Sequence, residues 1–192
     1  MKIDLNLPCG KSGDWEISKF SVDEKKANAF NMHAMFGPCG SRCVIPGEYY
    51  KLTYKNEVIM SNTPAEVSDH MPFINNAKGN VLIGGLGLGM VVKALIDSPD
   101  VTKITVVELS KDVIKLSGPT YSSNEKVHIV NEDIYKYKPT EKFDYAWFDI
   151  WPNICGDNYE DMVKLHRHFR GKISHMMDWC GEECKELHKA QW

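Results

Sequence analysis

The chain has no apolar run near the roughly 18 residues that a membrane-spanning helix needs. Its opening residues, Met1-Lys2-Ile3-Asp4-Leu5-Asn6, carry an acid and none of the apolar stretch that a secretory leader requires. Basic charge is not in surplus: 23 Lys and Arg stand against 26 Asp and Glu, a formal net charge of −3. Proteins that grip nucleic acid over a broad face depend on such a surplus, so that class of partner is disfavoured. Internal repeats and low-complexity tracts are absent. Cysteine is too sparse for a disulfide scaffold. Without an export signal the six present (Cys9, Cys39, Cys43, Cys155, Cys180 and Cys184) are expected as reduced thiols of a cytoplasmic protein. Cys39-x3-Cys43 and Cys180-x3-Cys184 lack the short knuckle spacing of a zinc site, so no metal is expected. His166 and His168, two apart on a helical pattern, point in different directions and read as solvated.

What is present is the composition of an ordinary globular domain, 43% hydrophobic and 26% charged over 192 residues. The pattern changes near residue 78. Residues 1–78 read as a β-leaning N-terminal lobe and residues 79–192 as a nucleoside-binding α/β domain. In the lobe, Asp14 to Phe20 alternates polar and apolar as a half-buried strand does. Residues 22–36 suit a helix capped by Ser21, and Gly37, Pro38, Gly40, Pro46 and Gly47 mark a long turn region. Tyr49–Tyr54 and Val58–Met60 suit a hairpin turning at Lys55-Asn56. A helix opening at Pro64 runs toward Ala77, with Pro72 dividing it.

From Asn80 onward strands and helices alternate. Strands are predicted at Val81–Gly84, Lys103–Glu108, Val127–Val130 and Phe143–Ile150. Helices are predicted at Leu88–Ile96 and Lys111–Leu116, the latter closed by Gly118-Pro119. Such βα units build a mostly parallel, Rossmann-like sheet covered by helices. Residues 157–190 read as helical, with one weak strand pattern at Ile173–Met177. A small sheet with open edges also suits a homodimer.

The most informative stretch is Val81-Leu82-Ile83-Gly84-Gly85-Leu86-Gly87-Leu88-Gly89. A buried strand runs into a turn of four glycines, the residue type needed where φ is positive or where a ligand approaches the backbone. Ligands of open α/β sheets bind at this edge. Two acids accompany the turn. Glu108 ends the second βα strand, where a carboxylate can accept from ribose hydroxyls, and it suits equally a cap on the following helix. Asp133 follows the third strand, where it can meet an adenine amine or serve as a turn acid. The G-x-G-x-x-G frame fails, because its sixth position is Met90 or Val92, and G-K-[ST] is absent. That excludes a dinucleotide fingerprint and a Walker loop. An adenosine without a pyrophosphate remains.

On these residues the chain resembles class I S-adenosylmethionine-dependent methyltransferases, and within that fold it is similar to the spermidine synthase-like branch. The likeness runs from Asn80 to about Pro152 through the Gly84–Gly89 turn, Glu108, Asp133 and Phe143-Asp144-Tyr145-Ala146-Trp147-Phe148-Asp149. A weaker likeness covers Glu57–Ser61 and Asp69-His70-Met71-Pro72. The resemblance implies an abbreviated methyltransferase fold with a small N-terminal hairpin lobe and C-terminal helices, and S-adenosylmethionine as cofactor. The cofactor would be bound by Gly84, Gly85, Leu86, Gly87, Gly89, Glu108, Leu109, Asp133 and Ile134. It places Asp149 opposite the transferred group. The chain departs from the branch where aminopropyltransferases carry two aspartates, positions held here by Leu88 and Pro152, and that points to methyl rather than aminopropyl transfer, with a nucleoside-binding protein that has lost catalysis as the other alternative because Ile83 stands where methyltransferases often carry an acid.

The candidate catalytic residues are Asp149, able to orient or deprotonate a nucleophile, and Trp151, a flat face for a substrate. The alternative readings are a helix-capping Asp149 and a packing Trp151. The sequence Asp149-Ile150-Trp151-Pro152 is not the Asp/Asn-Pro-Pro-aromatic motif of amino-group nucleic-acid methylases, so a small-molecule acceptor is expected. His70 suits either the cleft or a buried core position. Tyr49, Tyr50 and Tyr54 suit either a lid or a hairpin face.

Overall fold

The computed structural model describes residues 3–36 and 43–191. Two sheets organise the chain. The first is antiparallel, in the order β1 (Gly10–Ser12), β2 (Trp15–Val22), β3 (Gly47–Tyr54), β4 (Glu57–Ser61). Lys55 and Asn56 both take positive φ, 49° and 69°, so the β3–β4 connection is the primed two-residue turn whose twist matches its strands. The lobe is therefore a four-stranded sheet and not only a hairpin. Helix α1 (Glu24–Phe36) starts later than the sequence predicts, because β2 stays paired through Val22. Asp23, not Ser21, caps it by accepting from Lys26 N–H at 2.7 Å. Gly37, Pro38, Cys39 and Gly40 of the predicted turn lie outside the described residues. Helix α2 (Pro64–Ile74) carries Pro at its first turn and accommodates Pro72 in its last.

The second sheet has five parallel strands in the order β7 (Val127–Asn131), β6 (Val101–Glu108), β5 (Gly79–Gly84), β8 (Phe143–Phe148), β9 (Ile173–Asp178). The chain winds outward from β5 to β7 and then returns to β8 on the other side of β5. The point where strand order reverses therefore lies between β5 and β8. β9 falls on the weak strand pattern at Ile173–Met177 and extends it by one residue. Ile173 is buried but Ser174 and His175 are both exposed, as suits an edge strand, and β9 separates α5 (Asn158–His168) from α6 (Gly181–Lys189). Helices α3 (Met90–Ile96) and α4 (Lys111–Tyr121) complete the layers. Gly118-Pro119 does not end α4, which continues to Tyr121.

Strand alternation divides the core between the two faces of this sheet. Ile83, Val106 and Trp147 belong to a cluster with Val67, Phe73, Leu95 and Leu116 from α2, α3 and α4. Ile17 and Leu52 of the first sheet join the same cluster, so one apolar core runs through both sheets. Leu82, Ala146 and Phe148 face the other way, onto Met162 and Leu165 of α5. Phe148 stacks on Phe169 with centroids 5.5 Å apart. Trp147 is the largest fully buried side chain, packed by Phe73 at 5.2 Å and edge-on to His70 at 5.5 Å.

Candidate active site

The glycine turn sits at the carboxyl end of β5, beside the reversal point. Gly85 has φ +95° and donates its N–H to Val107 O at 2.9 Å. A Cβ at Gly85 would lie 2.3 Å from the Asp149 carbonyl oxygen, a contact no side chain tolerates. The Asp149 N–H in turn donates to Gly84 O at 2.9 Å. Backbone is thus packed on backbone across β5 and β8, and only glycine permits it. Gly89, at φ +71°, opens α3 against the Tyr121 ring, 2.1 Å from where its Cβ would be. Helix α4 clamps the turn from above: Ser117 Oγ donates to Gly87 O at 2.6 Å and Tyr121 Oη to Leu88 O at 2.7 Å. The sequence reading missed both braces. A polar residue on the otherwise apolar inner face of α4 was the available signal for Ser117.

Glu108 is 9% exposed and accepts two backbone hydrogen bonds: Oε2 from Leu86 N–H at 2.8 Å and Oε1 from Ser110 N–H at 2.7 Å. One carboxylate therefore shapes the glycine turn and the entry to α4 together. Each oxygen keeps a further lone pair for a ligand donor. Ser110 caps α4 itself, its Oγ accepting from Val113 N–H at 3.2 Å. Asp133 accepts from Tyr135 N–H at 3.0 Å and lies 3.5 Å from Lys136 Nζ.

A cavity of about 660 Å3 brings most of the candidate residues together. Gly85, Gly87, Glu108, Leu109, Asp133, Ile134, Asp149 and Trp151 all line it. Gly84, Leu86 and Gly89 do not: they shape the turn from behind, Leu86 with a side chain only 4% exposed. Ile134 is buried and Leu109 is 71% exposed on the rim. The opposite wall is built by the first sheet, through Trp15, Leu52 and Tyr54. Of the three tyrosines, Tyr54 faces this cavity, whereas Tyr49 and Tyr50 are core residues.

Met60 of β4 overhangs the turn. Its Sδ lies 2.6 Å from the place a Gly87 Cβ would occupy and accepts from Leu88 N–H at 3.3 Å. The Leu88 side chain is fully buried in the core. Between Met60, His70, Trp147 and Asp149 the space narrows to about 10 Å3, room for one water-sized group.

Asp149 lines both that narrow space and the large cavity. Its side chain is 12% exposed. Burial pushes its carboxyl up to about 7, and the carboxylates of Glu66 and Asp69 add to the effect. His70, 1% exposed, places Nε2 4.0 Å from Asp149 Oδ2, beyond a direct hydrogen bond. His70 is thus both buried and turned to the cleft. His166 and His168 are not simply solvated: His166 Nε2 lies 2.8 Å from Asp178 Oδ2, and His168 Nε2 lies 2.9 Å from Tyr137 O. Cys180 and Cys184 are buried, and Cys39 lies outside the described residues. No helix of the described residues is long and apolar enough to cross a membrane.

No protein-family model matches the chain, and no curated protein sequence matches it. Solved structures similar to it include a complex of DhpI with SAH, at 17% identity over 58% of this chain and 55% of that one, TM-score 0.46. A second is the CcbJ methyltransferase from Streptomyces caelestis, at 17% identity over 60% and 49%, TM-score 0.46. A third is an S-adenosylmethionine-dependent methyltransferase from Clostridium acetobutylicum, at 16% identity over 56% and 45%, TM-score 0.42. The chain spans about half the length of these structures.

Proposed function

We propose that the protein is an S-adenosylmethionine-dependent methyltransferase acting on a small-molecule acceptor. The observation that carries this reading is one cavity in which Gly85, Gly87, Glu108, Asp133 and Asp149 meet. Its residues fit an adenosyl group. Gly85 and Gly87 leave backbone uncovered at the turn, Glu108 keeps free lone pairs for ribose hydroxyls, and Asp133 suits the adenine amine. Leu109 and Ile134 offer apolar surface to the ring. The lobe of residues 1–78 acts as a cover through Trp15, Leu52 and Tyr54.

The cofactor supplies an electrophilic methyl on a sulfonium. Transfer of that group is an in-line displacement that depends on placement of the nucleophile. Asp149, whose carboxyl titrates near 7, accepts a proton from the acceptor or orients it, and Trp151 walls the approach. Methyl rather than aminopropyl transfer is favoured because Leu88 is buried in the core and Pro152 carries no charge.

Calorimetric titration with S-adenosylhomocysteine tests the reading. Saturable binding is expected for the native chain, lost in Glu108→Ala and retained in Asp149→Asn. Absence of any heat or thermal shift with the native chain would sink the proposal.

A further inference from the structure

Helix α2 buries one stripe, Val67, His70 and Phe73, at the spacing of a packed helix face. The middle position holds an imidazole where the pattern calls for an apolar side chain. His70 is 1% exposed, and its ring is set edge-on to Trp147 at 5.5 Å. Burying a polar ring carries a cost that a polar neighbour offsets. Asp149 Oδ2 lies 4.0 Å from His70 Nε2.

Asp149 stands between two spaces. Met60, Gly85 and Asp149 line both the large cavity and the narrow space that His70 borders, and of these three only Asp149 ionises. The charged neighbours on α2 are Glu66 and Asp69, and both oppose that ionisation. β4, β8, the glycine turn and α3 present Met60, Trp147, Gly85 and Met90 to the narrow space, none of which carries a charge. A donor from His70 acts in the opposite sense to the two acids, because it favours the charged form. Bringing Nε2 onto Oδ2 takes a movement of about 1 Å. Hydrogen bonds that serve catalysis are often long before the ligands arrive.

We propose that His70 is a positioning residue for Asp149: Nε2–H turns onto Oδ2 as the carboxyl group ionises, donates to it and holds the carboxylate toward the cavity. The role rests on the transferase reading. The contact is tested without cofactor or acceptor, so its failure is distinct from a loss of S-adenosylhomocysteine binding. The side-chain carboxyl 13C signal of Asp149, assigned by its loss in Asp149→Asn, is followed against pH in the native chain, in His70→Phe and in His70→Gln. Phe keeps an aromatic ring in the stripe and donates nothing; the Gln amide nitrogen takes the place of Nε2. The Asp149 midpoint is expected to rise by about one pH unit in His70→Phe, as loss of a hydrogen bond to the charged form requires, and to return toward the native value in His70→Gln. A packing role predicts one midpoint in all three chains, and that result would overturn the proposal. Should a His70 variant fail to fold, the imidazole 15N signals of the native chain decide. Above the Asp149 midpoint they are expected to show the Nε2-protonated tautomer, and to inflect at that midpoint in the native chain but not in Asp149→Asn. An Nδ1-protonated ring, or a His70 signal indifferent to Asp149, would equally overturn the proposal.

Discussion

Along the carboxyl edge of the parallel sheet, the β5–β6 end and the β8 end are built differently. At the first, the backbone of the glycine turn is held by Glu108, Ser117 and Tyr121, each through a hydrogen bond of 2.6–2.8 Å. At the second, Asp149 sits buried beside Glu66 and Asp69, with His70 too far for a hydrogen bond. The first end is rigid and its polar groups are satisfied, which suits recognition of a constant ligand. The second keeps an ionisable group in an environment that resists its charge, which suits proton transfer. The two ends meet where Gly84 and Gly85 pack on the Asp149 backbone.

That shared contact is where the largest effect is expected. Gly85→Ala forces a side chain into the Asp149 carbonyl at a left-handed φ of +95°. Strain and overpacking together should destabilise the fold by about 3–5 kcal/mol. Gly87→Ala is the contrast: its Cβ meets the end of the flexible Met60 side chain, and the loss should be near 1 kcal/mol. Chemical denaturation of both variants measures the difference. Equal losses would mean that the two ends of the edge are not rigidly joined at Gly85.

A second effect belongs to the β8 end alone. The Asp149 carboxyl titrates near 7 in the folded chain against 3.8 as a free side chain. The unfolded chain therefore releases this proton first. The native fold keeps its full stability below about pH 4 and loses part of it as pH rises toward 7. Asp149→Asn should remove that slope and leave the variant roughly 2–4 kcal/mol less pH-sensitive between those limits. Denaturation midpoints across that range provide the measurement. On the proposed transferase reading, the rate should rise through pH 7 as Asp149 becomes able to take a proton, and the inflection should vanish in Asp149→Asn. A flat profile in the native chain would remove the distinction drawn between the two ends.

The difference also explains what could be read from the sequence. The β5 end was legible because its signals are local. An apolar run, four glycines and an acid at the end of the next strand all lie within one βα unit and its neighbour. The braces on that turn were not legible. Ser117 and Tyr121 lie about thirty positions downstream, and although Ser117 stands out as a polar residue on the inner face of α4, nothing local points either side chain at the glycine turn. β9 was legible only weakly, at Ile173–Met177, for a related reason: an edge strand buries few side chains, so Ser174 and His175 break the hydrophobic signal. That α2 brings the charges of Glu66 and Asp69 and the ring of His70 toward Asp149 depends on how it crosses the sheet, which no local pattern encodes.

At the β5 end, Glu108→Gln should destabilise the chain by about 1–2 kcal/mol. The amide keeps one acceptor and faces the Leu86 and Ser110 N–H groups with the other side as a donor. Binding of S-adenosylhomocysteine should weaken by about tenfold or more, because the turn and the proposed ribose contacts share this carboxylate. An unchanged affinity would assign Glu108 to capping alone.

The smallest expected effect probes the seam between the two ends. Met60 Sδ lies over Gly87 and takes the Leu88 N–H, so the thioether fills the ground between the turn and Asp149. An adenosyl ligand with a homocysteine tail needs this ground; adenosine alone does not. The sulfur is a weak acceptor on a flexible chain, so displacing it costs little. Met60→Ala should therefore tighten S-adenosylhomocysteine a few-fold, less than about 1.4 kcal/mol, and leave adenosine unchanged. Equal tightening of both ligands would show that Met60 restricts the whole cavity and not the passage toward Asp149. Weakening of S-adenosylhomocysteine would instead make the thioether part of its binding surface, and the two ends would then be joined through Met60 as well as through Gly85.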